Sequence, residues 1–380
     1  FITPLVPFAE RRTITMKITV KFKIVLTKEQ VHLVESISKE YINTVNNIVS
    51  SMLQSEERVK LSSKDVLANM PSAVKNQAIR DAESIFAKYK KAIKTKFKLP
   101  ADKQKAINVP TLRKPVCIWN NQNYSLKDGI LSFPVIINGR SKRIQTRAIM
   151  TDYQLKQLEG HLGTLRISKK GTKYMAQISV EKTPPASKGD VVMGVDLGLK
   201  VPAVVVTESA KTKFIGNGRE NKYVKRKHRS ERKKLGKAKQ PKVIKNLNDK
   251  EQRWMKDKDH KISREIINFA IRNNVSVIRL EKLTNIRNTA RTSRKNEKNL
   301  HTWSFYRLAQ FIEYKANLAG IAVEYVDPKY TSQICPNCGT QNKAKDRKYK
   351  CSCGYRTHRD RVGAINIINA PVVDGNSLSA

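Results

Sequence analysis

Apolar residues take every second position from Ile14 to Ile24, and lysines fill several positions between them, among them Lys17, Lys21 and Lys23. A period of two indicates a β-strand, because successive side chains of a strand point to opposite faces. We expect this strand to bury one face and to expose a basic one. Residues 1–12 follow no such pattern, and Met16 is a candidate initiator.

Helical spacing replaces the alternation after this strand. Thr27 and Gln30 form a T-x-x-Q capping box that predicts a helix start. The apolar positions that follow at helical spacing are Val31, Val34, Ile37, Tyr41, Val45, Ile48 and Met52. A second helix is predicted after Pro71, and lysines crowd its last turns. The pattern therefore predicts a helical insertion of about seventy residues after the first strand.

Short β-type runs dominate residues 106–182, including VCIW, ILSFPVII, GTLRIS and KYMAQISVEK. Turn-forming pairs separate several of them: Asp128-Gly129, Asn138-Gly139 and Lys170-Gly171. Together with residues 16–27, these runs predict one β-barrel-like domain interrupted by the helices. Cys117 stands alone in the apolar run VCIW, so we expect it to pack as a strand residue. Pro184 and Pro185 begin a predicted linker.

The pattern of apolar positions changes after the linker. Residues 191–207 read as two buried strands around a turn, with Asp196 inside the first. A predicted helix ends at Asn273-Asn274, and the strand VSVIRLEKL after it carries Glu281 at its end. Another helix begins near Phe305, and IAVEYVDP reads as a strand. This alternation of strands and helices predicts a mixed α/β domain around a central sheet.

The net charge of the chain indicates what kind of partner it binds. The chain has 75 Lys and Arg against 32 Asp and Glu, which gives a net charge of +43 and a pI near 10.2. An excess of this size favours a polyanionic partner, and its spread along the chain suggests a long nucleic-acid path. No apolar run approaches the length of a membrane span, so we expect a soluble protein without membrane partners.

The most basic stretch, 222–250, is compatible with a helix. Ordinary surface helices interleave both signs of charge, whereas this stretch is strongly one-sided, so we favour a nucleic-acid-facing segment over a solvated helix. The candidate nucleic-acid-binding residues are Lys225, Arg226, Lys227, Arg229, Arg232, Lys233 and Lys234.

Four of the five cysteines fall within one short segment. Cys335 and Cys338 form a C-x-x-C knuckle, and Cys351 and Cys353 form a C-x-C pair. The residues between the pairs contain almost no apolar side chains, so a metal would supply the folding energy that burial cannot. Two disulfides are the alternative, but nothing resembles a secretory signal, and a reducing compartment leaves thiols free for metal. We therefore predict a structural Zn²⁺ site.

Three carboxylates stand where a metal-dependent nuclease needs them. Asp196 lies inside an apolar strand, Glu281 ends another strand, and Asp360 opens a small-residue helical run. Oxygen ligands select hard divalent cations, and two such ions can promote phosphodiester hydrolysis. A helix N-cap at Asp360 and a surface ion pair at Glu281 are the alternatives.

Several longer motifs then identify a family resemblance. They are GVDLGLK around Asp196, HKIS followed by VIRLEKL around Glu281, FIEYKANLAGIAVEYVDPKYTSQICPNCG, and CSCGYRTHRDRVGAINI around Asp360. In these motifs the chain resembles TnpB, the RNA-guided nuclease of bacterial and archaeal insertion sequences, which is related to type V CRISPR effectors. The resemblance implies a multidomain α+β fold that ends in an RNase H-like (RuvC) nuclease domain with an inserted zinc ribbon.

The domain boundaries follow from the resemblance and the patterns together. A split β-barrel wedge domain covers 13–27 and 98–186, and a helical recognition domain covers 28–97. The RuvC-like nuclease domain covers 190–329 and 358–370, the zinc ribbon covers 330–357, and 371–380 form a tail.

The resemblance also implies an activity and its cofactors. A guide RNA derived from the transposon end would select double-stranded DNA beside a short flanking motif. Asp196, Glu281 and Asp360 would bind Mg²⁺ and cut the DNA, and Cys335, Cys338, Cys351 and Cys353 would bind Zn²⁺. A cytoplasmic, nucleoid-associated monomer or homodimer of a bacterium or archaeon is expected.

Some positions depart from the family pattern, and rival functions stay open. Many relatives have C-x-x-C as the second cysteine pair, Asn-Ala-Ala where this chain has Val362-Gly363-Ala364, and an acid in place of His358. A miniature type V CRISPR effector would use the same local chemistry with an array-derived guide. A guided DNA-binding repressor without cleavage is disfavoured by the three intact carboxylates, and a DNA-joining transposase is weaker still.

Overall fold

A computed structural model describes residues 15–283 and 303–374, apart from positions 56, 58, 59, 99, 101–103, 105, 187, 188 and 345. Within helices, the side chains at 245, 248 and 249 are also left undescribed. Residues 1–14, which precede or begin the first predicted strand, lie outside these ranges, as do the end of the predicted tail and Ser187 of the predicted linker. The chain divides into two compact units, Thr15–Lys182 and a second whose described part is 183–374.

The first unit combines seven strands and three helices. In chain order they are β1 (Met16–Val25), α1 (Lys28–Gln54), α2 (Ser72–Phe97), β2 (Val116–Trp119), β3 (Ser125–Lys127), β4 (Ile130–Ile137), β5 (Arg140–Ile149), α3 (Asp152–Leu158), β6 (His161–Lys170) and β7 (Lys173–Lys182). The strands form one antiparallel sheet in the order β2-β6-β7-β1-β5-β4-β3, a half-barrel with β2 and β3 at its edges.

The two long helices share one hydrophobic core with this sheet. Tyr41 of α1 is fully buried and donates a hydrogen bond from its hydroxyl to Asp81 of α2, at 2.7 Å. Trp119 and Phe133 of the sheet belong to the same cluster of buried residues. Cys117 is also in this core, which confirms its expected packing, and burial raises the pKa of its thiol. The helical insertion is thus packed as part of the sheet's own core.

Several local predictions for this unit are confirmed. The Thr27 and Gln30 side chains make the reciprocal capping box at the start of α1. At the β4–β5 turn, Asn138 and Gly139 both have positive φ, as the two central residues of a tight hairpin turn require. Sequence reasoning missed α3, which begins with a second capping box between Thr151 and Gln154.

The second unit holds a mixed sheet with helices on both faces. Its elements are β8 (Val191–Leu197), β9 (Ala203–Thr207), β10 (Thr212–Ile215), α4 (Gly218–Lys237), α5 (Pro241–Arg272), β11 (Val275–Glu281), α6 (Phe305–Leu318), β12 (Ala322–Val326), β13 (Lys348–Lys350), β14 (Arg356–His358), α7 (Arg359–Asn369) and β15 (Val372–Asp374). The sheet order is β10-β9-β8-β11-β12-β15, and β8, β11 and β12 run parallel. β13 and β14 form a separate hairpin.

Side-chain alternation divides this sheet between two layers of helices. Met193 and Val195 of β8 pack with apolar residues of α5 and α6. Gly194 and Asp196, on the opposite face of the same strand, meet α7. The alternation of side chains along β8 therefore places Asp196 against α7, the helix that carries Asp360.

The basic stretch forms two helices instead of one. Lys239 adopts a positive φ between α4 and α5, so the chain turns there and the helices pack against each other. α5 ends at Arg272 with Asn273 as its C-cap, as predicted, but it begins at Pro241, inside the stretch that was predicted as one basic segment. Across the described ranges, no helix is both long enough and apolar enough to cross a bilayer.

Candidate functional site

Asp196 and Glu281 lie on the same face of the sheet, near the carboxyl ends of adjacent parallel strands. Val195 of β8 pairs with Leu280 of β11, and the two acidic residues each come one position later. Leu280 packs toward α5 and α6, so the next residue along β11 faces the opposite side. Parallel pairing thus brings together two carboxylates that are far apart in the sequence.

Asp360 reaches this face from the first turn of α7. The N-cap of the helix is His358, whose Nδ1 accepts the backbone N–H of Asp360 at 3.2 Å, so Asp360 is not the cap that the alternative interpretation supposed. Asp360 is only 5% exposed, and its Oδ1 accepts a hydrogen bond from Arg347. Its Oδ2 is buried and has no hydrogen-bond partner among the described residues.

The three carboxylates affect one another electrostatically. Burial raises the pKa of Asp196 well above its ordinary value, and the charges of Glu281 and Asp360 raise it further. Burial also raises the pKa of Glu281, against the opposing effect of a hydrogen bond from Thr331. Mutual repulsion of this kind indicates a site suited to a bound cation, which would offset the clustered negative charge. Oδ2 of Asp360, which accepts no hydrogen bond from the described residues, and the all-oxygen donor set fit Mg²⁺.

Two glycines allow α7 to approach the sheet this closely. A Cβ at Gly363 would lie 2.9 Å from Oδ2 of Asp196. A Cβ at Gly194 would overlap the backbone carbonyl of Ala364. A side chain at Gly363 would therefore crowd the Asp196 carboxylate, whereas one at Gly194 would collide with the backbone of α7.

Sequence reasoning missed two residues of this site, Arg347 and Thr331. Arg347 precedes the hairpin β13–β14 and pairs with Asp360, while Thr331 donates its hydroxyl hydrogen to Glu281. Both lie in the segment that was interpreted as a zinc module, so their chemistry was assigned to the ribbon alone. The sequence carries no clear signal for either residue, because the burial of Thr331 and the partners of both side chains arise only in the folded chain.

The four cysteines form a second centre. All four Sγ atoms lie within 4.8 Å of one another, with Cys335 and Cys353 3.7 Å apart and Cys338 and Cys351 3.5 Å apart. Four thiolates around a tetrahedral Zn²⁺ with Zn–S bonds of about 2.3 Å have sulfurs about 3.8 Å apart. The cluster therefore has the size of a zinc site, and the C-x-C spacing is compatible with it. Both separations exceed a disulfide bond, and all four thiols are free, which excludes the disulfide alternative for this structure.

Local contacts already favour a thiolate at one of these positions. Contacts with the side chain and backbone of Thr340 lower the pKa of the Cys338 thiol to about 6. Zinc binds thiolates, so a lowered thiol pKa reduces the cost of deprotonation when the metal binds.

The seven predicted nucleic-acid-binding residues all lie on α4, but they do not share one environment. Arg226, Lys227, Arg229, Lys233 and Lys234 are exposed. Lys225 and Arg232 face α5, where Arg232 makes a 2.6 Å ion pair with Glu251 and burial lowers the pKa of Lys225. Five of the seven thus form an outward basic surface, which we call the α4 ridge, and two face inward at the packing between α4 and α5.

Two protein-family models match the second half of the chain. Residues 176–287 match a model described as a probable transposase of the OrfB_IS605 type. Residues 305–367 match the TNB domain of Cas12f1-like proteins. The first match covers Asp196 and Glu281, and the second covers Asp360 and all four clustered cysteines.

Curated relatives fall into the same two groups. The chain is 30% identical to the CRISPR-associated endodeoxyribonuclease Cas12f1 of Sulfoacidibacillus thermotolerans, over 62% of the chain and 58% of that protein. It is 38% identical to a TnpB-like protein of Methanocaldococcus jannaschii, over 33% of the chain and 46% of the relative. The alignments thus span about half the length of the curated relatives that the chain matches.

A solved structure shares the fold across nearly the whole chain. It is described as a complex of Cas12f1 with sgRNA and target DNA, and it matches with a TM-score of 0.68 at 16% sequence identity. The match covers 94% of this chain and 99% of that one, so the arrangement of elements is that of a Cas12f-like protein. In these matches the chain is similar to TnpB-type and Cas12f proteins, and its fold agrees with that similarity.

Proposed function

We propose that this chain is an RNA-guided DNA endonuclease in which Asp196, Glu281 and Asp360 bind the catalytic metal ions. The observation that carries the proposal is the convergence of these three carboxylates on one face of the sheet, with Oδ2 of Asp360 buried and without a hydrogen bond from the described residues. The relatives named as Cas12f1 endodeoxyribonucleases support DNA cleavage as the reaction.

The sheet is assigned to the RNase H-like, RuvC type of nuclease core. The strand order β10-β9-β8-β11-β12, with two antiparallel strands followed by parallel pairing, supports this assignment. In this arrangement β8 is central, and it places Asp196 between Glu281 on the neighbouring strand and Asp360 on the covering helix.

Side chains of the protein prepare the site for the reaction. Thr331 fixes one oxygen of Glu281, and the close approach of α7 at Gly363 confines the Asp196 carboxylate. Arg347 offsets part of the negative charge at Asp360 and lies where it can contact a phosphate group held at the carboxylates. Two Mg²⁺ ions held there would activate the attacking water and stabilise the leaving oxygen of a phosphodiester. The chain's own role is to hold the carboxylates in place and to limit the access of bulk water.

Guide RNA and double-stranded DNA are the proposed partners. The net charge of +43 and the exposed α4 ridge supply electrostatic attraction for phosphate backbones, which does not depend on nucleotide sequence. Sequence selection would then come from pairing between the guide and the DNA, beside a short flanking motif. The similar Cas12f1 structure, described as a complex with sgRNA and target DNA, supports both partners.

The Cys335, Cys338, Cys351 and Cys353 cluster is proposed to hold a structural Zn²⁺. Few apolar residues pack around it, mainly Tyr349 and Val362, so the metal would supply much of the local folding free energy.

The test is to co-express the chain with the DNA that flanks its gene and to sequence any RNA that copurifies. The purified complex is then incubated in Mg²⁺ with a plasmid library that matches the guide. We expect guide-dependent cuts beside a fixed motif, and no cuts by the Asp196→Ala variant, which should still bind RNA and target. Binding without cleavage by the unmodified chain would favour a guided repressor, and the absence of a discrete RNA would refute the proposal.

A CRISPR-type guide is the second candidate, favoured by the 30% identity to a Cas12f1 protein. The chemistry at the carboxylates is the same in both cases, so the source of the copurified RNA distinguishes them. Guide sequences from a repeat array would favour this alternative, and sequences from a transposon end would favour the TnpB assignment.

A further inference from the structure

The segment that enters the zinc ribbon touches one carboxylate of the nuclease site, Glu281, through the side chain of Thr331, and Asn366 of α7 holds that segment in place. We propose that these two residues link zinc occupancy to the geometry of the nuclease metal site, so that a folded, zinc-bound ribbon strengthens divalent-cation binding by Asp196, Glu281 and Asp360. This inference rests on the function proposed above, and it assigns Thr331 and Asn366 as positioning residues.

Thr331 holds Glu281 from the ribbon side. Thr331 is only 5% exposed, and its hydroxyl donates a hydrogen bond to Oε1 of Glu281. The backbone carbonyl of Pro328 lies 3.2 Å from the same hydroxyl and competes for its single hydrogen. The carboxylate therefore keeps one oxygen fixed and the other available, which is the arrangement that orients a metal ligand.

Asn366 holds the Thr331 backbone against α7. Its side-chain amide donates to the carbonyl of Thr331 at 2.6 Å and to the carbonyl of Ile334 at 2.7 Å, which uses both of its N–H groups. α7 is also the helix that carries Asp360. The Asn366 amide therefore fixes the segment that enters the ribbon relative to α7. Through Thr331 this segment contacts Glu281, and α7 carries Asp360.

The same entry segment continues directly into the zinc centre. Ile334 precedes Cys335, whose backbone N–H donates to the carbonyl of Thr340 at 3.0 Å within the first knuckle. The hydroxyl of Tyr349, from the second half of the ribbon, donates to the carbonyl of Gln333 at 3.0 Å. A folded ribbon thus holds its entering segment, which contains Gln333 and Cys335, against Tyr349 of its second half.

Arg347 supplies a second contact from the other side of the ribbon. It pairs with Asp360 just before β13, while Tyr349 of that strand packs fully buried against Cys335 and Val362. The apolar cluster of the ribbon is small, so zinc loss should release Thr331 and Arg347 together. Coupling of this kind is reciprocal, because each metal must change the affinity of the other by the same factor.

The test measures Mn²⁺ binding to the full chain by electron paramagnetic resonance, with Mn²⁺ replacing Mg²⁺ as the probe. We expect Thr331→Val to weaken Mn²⁺ binding about ten-fold or more, the usual range for losing a group that orients a metal ligand. Thr331→Ser, which retains the hydroxyl, should restore the affinity to within about three-fold of the original. Zinc content, measured by mass spectrometry, should be unchanged in both variants.

A second arm removes the zinc itself. The Cys338→Ser/Cys353→Ser variant should lose zinc and show a similar ten-fold loss of Mn²⁺ affinity, without any change to the carboxylates. If Thr331→Val binds Mn²⁺ like the unmodified chain, the link is refuted and the proposed nuclease function stands. If the unmodified chain neither binds Mn²⁺ nor cleaves DNA, the proposed function and the inference fail together.

Discussion

Gly194 and Gly363 lie where α7 crosses β8, but a side chain at each position would meet a different kind of atom. At Gly363 the nearest atom belongs to the Asp196 carboxyl group, which can rotate away. At Gly194 it is a backbone carbonyl that cannot move without shifting the helix. A substitution at Gly363 should therefore disturb the carboxylate site, whereas one at Gly194 should disturb the packing of α7 on the sheet.

We expect Gly363→Ala to impair the site while leaving the fold intact. The added Cβ displaces the Asp196 carboxylate, so Mn²⁺ affinity and DNA cleavage should each fall about ten-fold or more. The free energy of unfolding should change by less than about 1 kcal/mol, because alanine is favourable inside a helix. Urea unfolding together with Mn²⁺ titration checks both parts.

The matched variant is Gly194→Ala. Overlap with the Ala364 carbonyl should lower the free energy of unfolding by about 3 kcal/mol or more. Equal stability losses in the two variants would contradict the distinction between the two positions.

At the residue scale, the sequence predicted the cluster of four cysteines that could hold zinc, whereas the metal-binding role of Asp196, Glu281 and Asp360 stays a prediction. Carboxylates in apolar strands and cysteines in close pairs have few structural uses, so their positions alone pointed to metal chemistry. Arg347 and Thr331 were missed because their roles depend on which neighbours the folded chain brings to them. Lys225 and Arg232 were grouped with their neighbours because the run of charge hides which side of α4 packs against α5.

At the scale of elements, the interface between α5 and α6 contains a buried lysine. Lys315 is 5% exposed, and its ammonium donates to the carbonyl of His260 at 2.7 Å and to the Ser263 hydroxyl at 2.6 Å. Burial, aided by the charge of Arg264, lowers its pKa to about 8. The two hydrogen bonds hold the helices together, although the charged form of the lysine is disfavoured there.

This lysine should make stability depend on pH. Between about pH 8 and 10.5 the folded state loses the proton that the unfolded chain retains, so the contribution of Lys315 rises with pH, by up to about 3 kcal/mol. We expect the free energy of unfolding of the unmodified chain to rise relative to that of Lys315→Met when the pH changes from 7 to 10. Urea titrations at both pH values measure the difference, and the exposed Lys211→Met variant, which should track the unmodified chain, is the control. An identical pH response in Lys315→Met would refute the assignment.

The α4 ridge should contribute nucleic-acid affinity through charge alone. We expect replacement of Arg226, Lys227, Lys233 and Lys234 by Gln to weaken RNA binding and to reduce the slope of log affinity against log salt by about 0.7 for each phosphate that the protein no longer neutralises. Fluorescence anisotropy at several salt concentrations measures both quantities.

The inward residue Arg232 offers a comparison on the same helix. Arg232→Gln also removes a positive charge, but it breaks the ion pair with Glu251. We expect it to lower stability and to leave the salt slope nearly unchanged. If Arg232→Gln reduced the salt slope as much per removed charge as the ridge variant does, the side of α4 on which a charge lies would have no effect on RNA binding.

Element boundaries were predictable where a cap or a turn residue marks them. Thr27 and Asn273 were identified in this way. The start of α5 at Pro241 was not, because residues 222–250 were interpreted as one continuous basic stretch. α3 was missed because it is short and has little apolar periodicity.

At the scale of the whole molecule, the first unit owes its stability to one core. α1 and α2 bury their apolar faces in the same cluster as the half-barrel sheet, with Tyr41 and Trp119 fully enclosed. The sequence suggested a separate helical insertion because its periodicity changes abruptly at Thr27. Periodicity reports local conformation, but it does not report which surfaces share a core.

We therefore expect residues 15–182 to fold when expressed alone. A fragment with its own core should show a single cooperative urea transition by circular dichroism, and added zinc chelator should not shift it. A fragment of 28–97, which lacks the sheet that covers its apolar face, serves as the control and should show no cooperative transition. Cooperative unfolding of the control would indicate two separate cores.

The mixed sheet of the second unit also determines the order in which the protein can act during its synthesis. The three carboxylates come from β8, β11 and α7, and α7 leaves the ribosome after both basic helices have been made. Under the proposed function, a nascent chain can therefore attract RNA with α4 before it possesses a complete set of metal ligands. The enzyme would then acquire its guide before it could cut DNA.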